Sequence, residues 1–166
     1  AEIVDFIFKL DKKGILKPST KKYLPKIIES FNNEKALRVL IRLLRNKNAL
    51  TRLYASNSLI KILKKNTNLS VAPRVIKNQI LRESSYYKNT LEIIASLQHL
   101  INKDLDNKEG LELCEARVNL IPELEILLDN NLKCIFNLLS LVYNEEDIKM
   151  TYVGIQSEIK DAKINS

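Results

Sequence analysis

The residues in this chain that could do chemistry are few. His99 is the only histidine, set between Leu97 and Leu100 without an obvious partner, so a structural or surface role is expected rather than proton transfer. Carboxylates cluster at Glu145, Glu146 and Asp147 and pair at Glu123 and Glu125. The first group suits the opening turn of a helix, where the dipole favours acids, and the second suits a solvated face. Acid–base catalysis would also need a pocket that displaces pKa values. None of Gly14, Gly110 and Gly154 belongs to a phosphate-cradling motif. Cys114 and Cys134 form no CxxC pair and have no histidine at metal spacing. Both fall at helical spacing among leucines and isoleucines, and are expected as buried, reduced thiols in a reducing setting. No catalytic, cofactor or metal residue is assigned, and a noncatalytic protein is expected.

The basic residues are organised differently. Arg38, Arg42 and Arg45 recur at i, i+4 and i+7, which stacks three guanidinium groups along one side of one helix. Lys12, Lys13, Lys17, Lys21, Lys22 and Lys26 cluster in and after an early loop. These nine are the candidate contacts for an anionic partner, against the plainer reading of a solvated face whose long stems cover the core. Residues 1–103 hold 21 Lys+Arg against 7 Asp+Glu, net +14, whereas residues 104–166 hold 6 against 13, net −7. A compositional bias toward lysine would not reverse sign part-way. The asymmetry implies either that one half packs against the other or that a basic face meets something anionic.

The elements that must position these residues read as helices throughout. At 166 residues with 3 Gly, 4 Pro and no Trp, the chain is expected to be one all-α domain, with no convincing strand. Residues 2–10 place Ile3, Phe6, Ile7 and Leu10 on one face. A helix over about 19–31 follows, with Tyr23, Leu24, Ile27, Ile28 and Phe31 inward and Pro25 in its early turns. Leu37, Leu40, Ile41 and Leu44 form the stripe of the next helix. "RNKN" is a tight polar turn, and Leu50, Leu53, Tyr54, Leu59, Ile60 and Leu63 line its partner, whose Ala55, Ser56 and Ser58 permit close approach. Ser70 is a candidate cap for a long helix carrying Ile76, Ile80, Tyr87, Leu91, Ile94 and Ile101 inward. A return arm runs from Leu111 to Val142, with a kink expected at Pro122 and a candidate break at Asp129-Asn130-Asn131. Asn144 caps a last complete helix. The longest apolar run, "CIFNLLSLVY", is about half the 18–20 residues of a membrane span and is interrupted by Asn137.

Residues 40–62 resemble a HEAT repeat. Leu40, Ile41, Leu43 and Leu44 match its first-helix leucines, Arg52 its arginine, and Ala55, Ser58, Leu59 and Ile62 its second-helix packing residues. Asn46 and Asn48 stand where that family prefers aspartates, so the turn-to-arginine ion pair is here reduced to a hydrogen bond. Shifted by 111 residues, the pattern puts Ile155 on Leu44, Ser157 on Asn46, Lys163 on Arg52 and Ser166 on Ala55. A polar break after Gln156 and a helix start at Asp161 are therefore expected, as the opening of a further repeat over 145–166 in a fragment of something longer. The resemblance implies a HEAT-like α-solenoid of antiparallel helical pairs, about 2–31 and 33–65, with one long helical hairpin at about 71–143. "NQILRESSYYKNTLEIIASLQHL" and "LIPELEILLDNNLKCIFNLLSLVYNEEDIKMTYVGIQS", mostly through residues 132–157, are similar to the helical extension of bacterial ATP/ADP-translocase-like transporters of the major facilitator type. Transport residues of that family lie in membrane helices outside this chain, so none carries over.

What the resemblance implies is a noncatalytic interaction or regulatory domain, the cytosolic part of a translocase-like inner-membrane protein. Its partner would be a protein or the membrane domain of the same chain, with the basic half toward an anionic membrane surface. The alternative is a free-standing HEAT-like adaptor binding acidic protein or nucleic acid. HEAT-like folds also occur among DNA glycosylases. Base removal, however, needs an aromatic-lined pocket and a placed carboxylate, and here Trp is absent and the tyrosines fall mostly on apolar stripes.

Overall fold

Helix α1, Leu24–Glu29, starts with a proline in its first turn, where the missing N–H would have had no helical partner. It is shorter than the sequence pattern suggests. Leu24 and Ile28 are buried, but Tyr23 and Ile27 point outward, 54% and 42% exposed. Six residues make under two turns, and only one narrow edge can face the core. The exit is made by Asn32 at φ 44°, a left-handed conformation that asparagine tolerates better than branched residues. That reversal sets Asn33 to cap α2, Glu34–Leu43, its Oδ1 accepting the Ala36 N–H at 2.9 Å.

These helices belong to a computed structural model that describes residues 20, 22–106 and 111–164. The stripe expected over residues 2–10 lies outside the described residues. All regular structure among the described residues is helical, with no strand. Helix α3 spans Ala49–Lys65, α4 Pro73–Asp106, α5 Leu111–Leu139 and α6 Glu145–Ile164.

The "RNKN" turn is built from two asparagine side chains. Asn46 Oδ1 accepts the Asn48 N–H, and Asn48 Oδ1 accepts the Thr51 N–H, each at 2.9 Å. Asn48 thereby caps α3. Replacing Asn48 by Ala is expected to lower stability by about 0.5–2 kcal/mol, read as a lower urea midpoint at unchanged m-value.

Helix α3 is the centre of the molecule, meeting α1, α2 and α5. Ala55, Leu59 and Ile62 have no exposed surface, and Ser56 and Ser58 are buried beside them. The expected close approach is therefore made, although Tyr54, placed on the inner stripe by periodicity, lies on the surface. The core gathers Leu37, Leu40 and Leu43 of α2 and Leu44 just past its end around this helix, with Ile76 of α4 and Cys134 and Leu138 of α5 closing it.

Helices α4 and α5 contact each other more extensively than any other pair. By rise alone the 34 residues of α4 extend about 51 Å. Helix α4 begins at Pro73 itself, so Ser70 lies in the preceding loop rather than at the cap. Helix α5 continues through both Pro122 and Asp129-Asn130-Asn131. The expected break does not occur, and two of the three side chains find partners, although Asn131 Nδ2 stays buried without one. Asp129 pairs with Lys133 one turn on, at 2.5 Å, and Asn131 is buried with its Oδ1 on Arg52. Of the inward positions expected on α4, Ile76 and Ile94 are buried whereas Leu91 is exposed.

Asn144 caps α6 as expected, its Oδ1 accepting the Glu146 and Asp147 N–H groups at 2.9 and 3.3 Å. The break expected after Gln156 is absent, and so is a new start at Asp161. Helix α6 is unbroken to Ile164, with Gly154 inside it. Gln156 Nε2 is held by Tyr152 Oη at 2.6 Å and Asp129 Oδ1 at 3.3 Å, which ties this turn onto α5 in helical form. Phe136 and Tyr152 pack with rings tilted by 50° and centroids 5.0 Å apart in the same seam.

Candidate functional site

Arg52 is the most completely bonded side chain described. It leaves the first turn of α3 and is buried, and all five of its N–H donors are used. Nε and Nη2 fork onto Glu83 of α4, at 2.7 Å to Oε1 and 3.1 Å to Oε2. Nη1 donates to the carbonyls of Asn46 and Lys47, both at 3.0 Å, and Nη2 also reaches Asn131 Oδ1 of α5 at 3.1 Å. The guanidinium carbon lies 4.5 Å from the Tyr86 ring centroid. Gln79 completes the hub, its Nε2 donating to Glu83 Oε1 at 2.9 Å and to the Leu44 carbonyl at 2.6 Å.

This arrangement solves a local problem. The carbonyls just past the end of α2 have no helical partner, and they are satisfied by side chains from α3 and α4. A cation there also complements the negative end of the α2 dipole. Arg52 thus reaches back to the turn through hydrogen bonds, as the asparagines at 46 and 48 require, but through main-chain carbonyls. Its ion pair goes to Glu83, which sequence reasoning did not single out. A signal was present, since Glu83 is the only acid between Glu34 and Glu92. Glu34, the nearer acid in sequence, pairs with Arg38 on its own helix, which leaves Glu83 as the next carboxylate along the chain.

A second polar seam joins α3 to α5. Asn137 Nδ2 donates to Ser56 Oγ at 3.0 Å and to Asn57 Oδ1 at 2.9 Å. Cys134, one turn before it, is buried and free, whereas Cys114 is half-exposed and free. The expectation of two buried thiols therefore fails for Cys114, which lies toward the far end of the α4–α5 arm, away from the core. Burial, and next the Glu83 charge, push the Cys134 thiol up to about 12. A maleimide at neutral pH is expected to label Cys114 within minutes while Cys134 stays unlabelled until denaturant is added. Mass spectrometry of the digested adduct checks this.

The two electrical halves meet at Glu145, whose carboxylate lies 2.7 Å from Lys64 Nζ and 2.8 Å from Lys149 Nζ. Lys149, then Lys64, hold its carboxyl down at about 2. Because the folded value is depressed, the stability it contributes is present above the unfolded value of about 4.3 and disappears as pH falls toward 2. Wild-type stability is accordingly expected to fall between those values by more than that of an E145Q variant, as read by thermal melts across that range.

The candidate anion-binding residues are not brought together as one site. Lys12, Lys13, Lys17 and Lys21 lie outside the described residues. Lys22 sits with its ammonium 5.1 Å from the Tyr23 ring centroid, and Lys26 is exposed on α1. Arg38 and Arg42 are exposed along α2, with Arg38 engaged by Glu34 at 2.6 Å, whereas Arg45, expected on the same helix, is exposed in the turn that follows because α2 ends at Leu43. Arg45 has a different setting. It lines a cleft of about 330 Å³ between α2 and α4, together with Ile41, Leu44, Gln79 and Arg82. No family model, no curated protein and no solved structure matches the chain.

The remaining chemistry-bearing residues stay apart. His99 is exposed on α4, Glu123 is exposed on α5, and Glu146 and Asp147 occupy the first turn of α6. Among the described residues no three His, Cys, Asp or Glu side chains are grouped to hold a metal ion. No described helix is long and apolar enough to cross a membrane.

Proposed function

We propose that this chain is a noncatalytic helical interaction domain, a HEAT-like α-solenoid segment of paired antiparallel helices that serves as the cytosolic part of a translocase-like membrane protein. The observation that carries the reading is the use of Arg52. The molecule's most buried ionic chemistry fastens a helix–turn–helix pair to the next two helices, and every donor is spent on that fastening. Chemistry at this position stiffens a platform and leaves no group for a substrate.

Surface features support a contact role. Ile93 and Leu100 on α4, and Leu113 and Leu120 on α5, are large apolar side chains left exposed along one arm. Exposed apolar side chains on the two helices of that arm are what a contact surface would use. The basic half, facing an anionic membrane or an acidic segment of the same polypeptide, would gain roughly 1 kcal/mol for each well-placed Lys or Arg near a charged surface.

The alternative is a free-standing adaptor that uses the same basic half on acidic protein or nucleic acid. Cosedimentation with phosphatidylglycerol vesicles, set against phosphatidylcholine vesicles and a duplex oligonucleotide, separates the two. Binding to the anionic vesicles that falls as salt rises is the expected result. Absent vesicle binding beside tight, salt-sensitive oligonucleotide binding would overturn the membrane-associated reading.

A further inference from the structure

We infer that the cleft between α2 and α4 is a binding site for a phosphomonoester group, gripped by Arg45 and Arg82. This deepens the proposed contact with an anionic surface and rests on that reading for the source of the ligand, though not for the site's chemistry.

The cleft holds about 330 Å³, enough for a phosphate group and part of what it is attached to, and its lining includes two arginines and no acid. Both arginines are exposed, and neither has an ion pair among the described residues. Arg38, by contrast, is neutralised by Glu34 a turn away. Two free guanidinium forks on opposite walls can offer parallel pairs of N–H donors to a dianion, which a single lysine cannot. Asn78 adds an exposed amide at the rim.

The floor explains why the positive potential survives. Glu83, the carboxylate that would otherwise oppose an anion, is enclosed by Arg52 and Gln79. Gln79 itself is buried and fixed to the Leu44 carbonyl, so it holds the two walls at a set spacing. The hub and the cleft therefore share a residue: fastening α2 to α4 both spends the acid and frames the basic opening. Leu81, 66% exposed, forms an apolar lip on the same opening. A phosphate carried on an apolar body fits this combination, as does free phosphate with the lip unused.

The test titrates inorganic phosphate into the full chain at low salt while following the arginine Nε–H resonances, with phosphatidic acid vesicles against phosphatidylcholine vesicles in a parallel arm. Saturable shifts at Arg45 and Arg82 are expected, and R45Q/R82Q should weaken binding by roughly tenfold or more. R38Q, which removes one positive charge from neighbouring α2 outside the cleft, should leave it unchanged. Saturation by free phosphate alone assigns a soluble ligand, and binding by phosphatidic acid vesicles a lipid headgroup; either result, abolished by R45Q/R82Q, supports the site. Equal weakening by R38Q, or binding indifferent to R45Q/R82Q, would overturn it in favour of general charge attraction. Phosphatidylglycerol cosedimentation that persists while neither free phosphate nor phosphatidic acid shows Arg45/Arg82-dependent binding would sink the cleft and leave the membrane-facing reading standing. Phosphate saturation without any vesicle binding would do the reverse. Both arginines are exposed, and circular dichroism of the variants confirms that the helices are retained.

Discussion

Replacing Glu83 by Ala is expected to remove about 3–5 kcal/mol of stability, a large share of what a single domain possesses. The side chain has no exposed surface and Arg52 is only 4% exposed, so truncation leaves a guanidinium in the interior with two of its five donors unmet. The Asn46, Lys47 and Asn131 bonds remain and keep the loss toward the lower end. Truncating Arg52 instead should cost more, because Glu83 would keep only Gln79, while the carbonyls past α2 would lose their donors. Replacing the pair together with Met and Leu is expected to recover most of the loss, since two apolar groups carry no unpaired charge. Urea denaturation of the four proteins measures this directly.

The second large effect falls on Leu59. It is wholly enclosed at the centre of α3, where α1, α2 and α5 converge, and a cavity opened there has walls on every side. Leu59→Ala should cost about 2–5 kcal/mol. The same change at Leu113, 55% exposed on α5, should cost no more than about 0.5 kcal/mol. The contrast locates the core on α3 and the near ends of α4 and α5. Comparable losses at both positions would mean that the outer arm is packed more fully than its exposure indicates.

How much of this was legible depends on the range of the interactions involved. The helix pair around "RNKN" could be read from one stretch: leucines at helical spacing on either side, asparagines that cap, and small residues at 55, 56 and 58 that admit a neighbour. All of those signals act within a few residues. The all-helical class and the long paired arms followed from sustained periodicity in the same way. Glu83 was not identified because its partner is 31 positions away, and its neighbours, "ESSYYKNT", read as the polar side of a helix.

The turns that failed to appear have a related cause. Asp129-Asn130-Asn131 and the "GIQS" stretch look like breaks because their side chains compete locally for the backbone. Here Asn131 is drawn off by Arg52 of α3 and Gln156 by Asp129 of α5, while Asp129 also pairs with Lys133 one turn on in its own helix, and the helices continue. Exposure at Tyr23, Ile27, Tyr54 and Leu91 was equally beyond reach. Periodicity finds the apolar stripe, but only the neighbouring helices decide which part of it is covered.

Whether Arg52 is the fastening between α2, α3, α4 and α5 is tested most directly by hydrogen exchange at its own Nε–H. The Nε proton is donated to Glu83 in the interior, so its resonance should persist at neutral pH and exchange orders of magnitude more slowly than that of Arg38 on the surface. An Arg52 Nε–H that exchanges as fast as Arg38's would mean the guanidinium is open to water, and the hub described here would not exist.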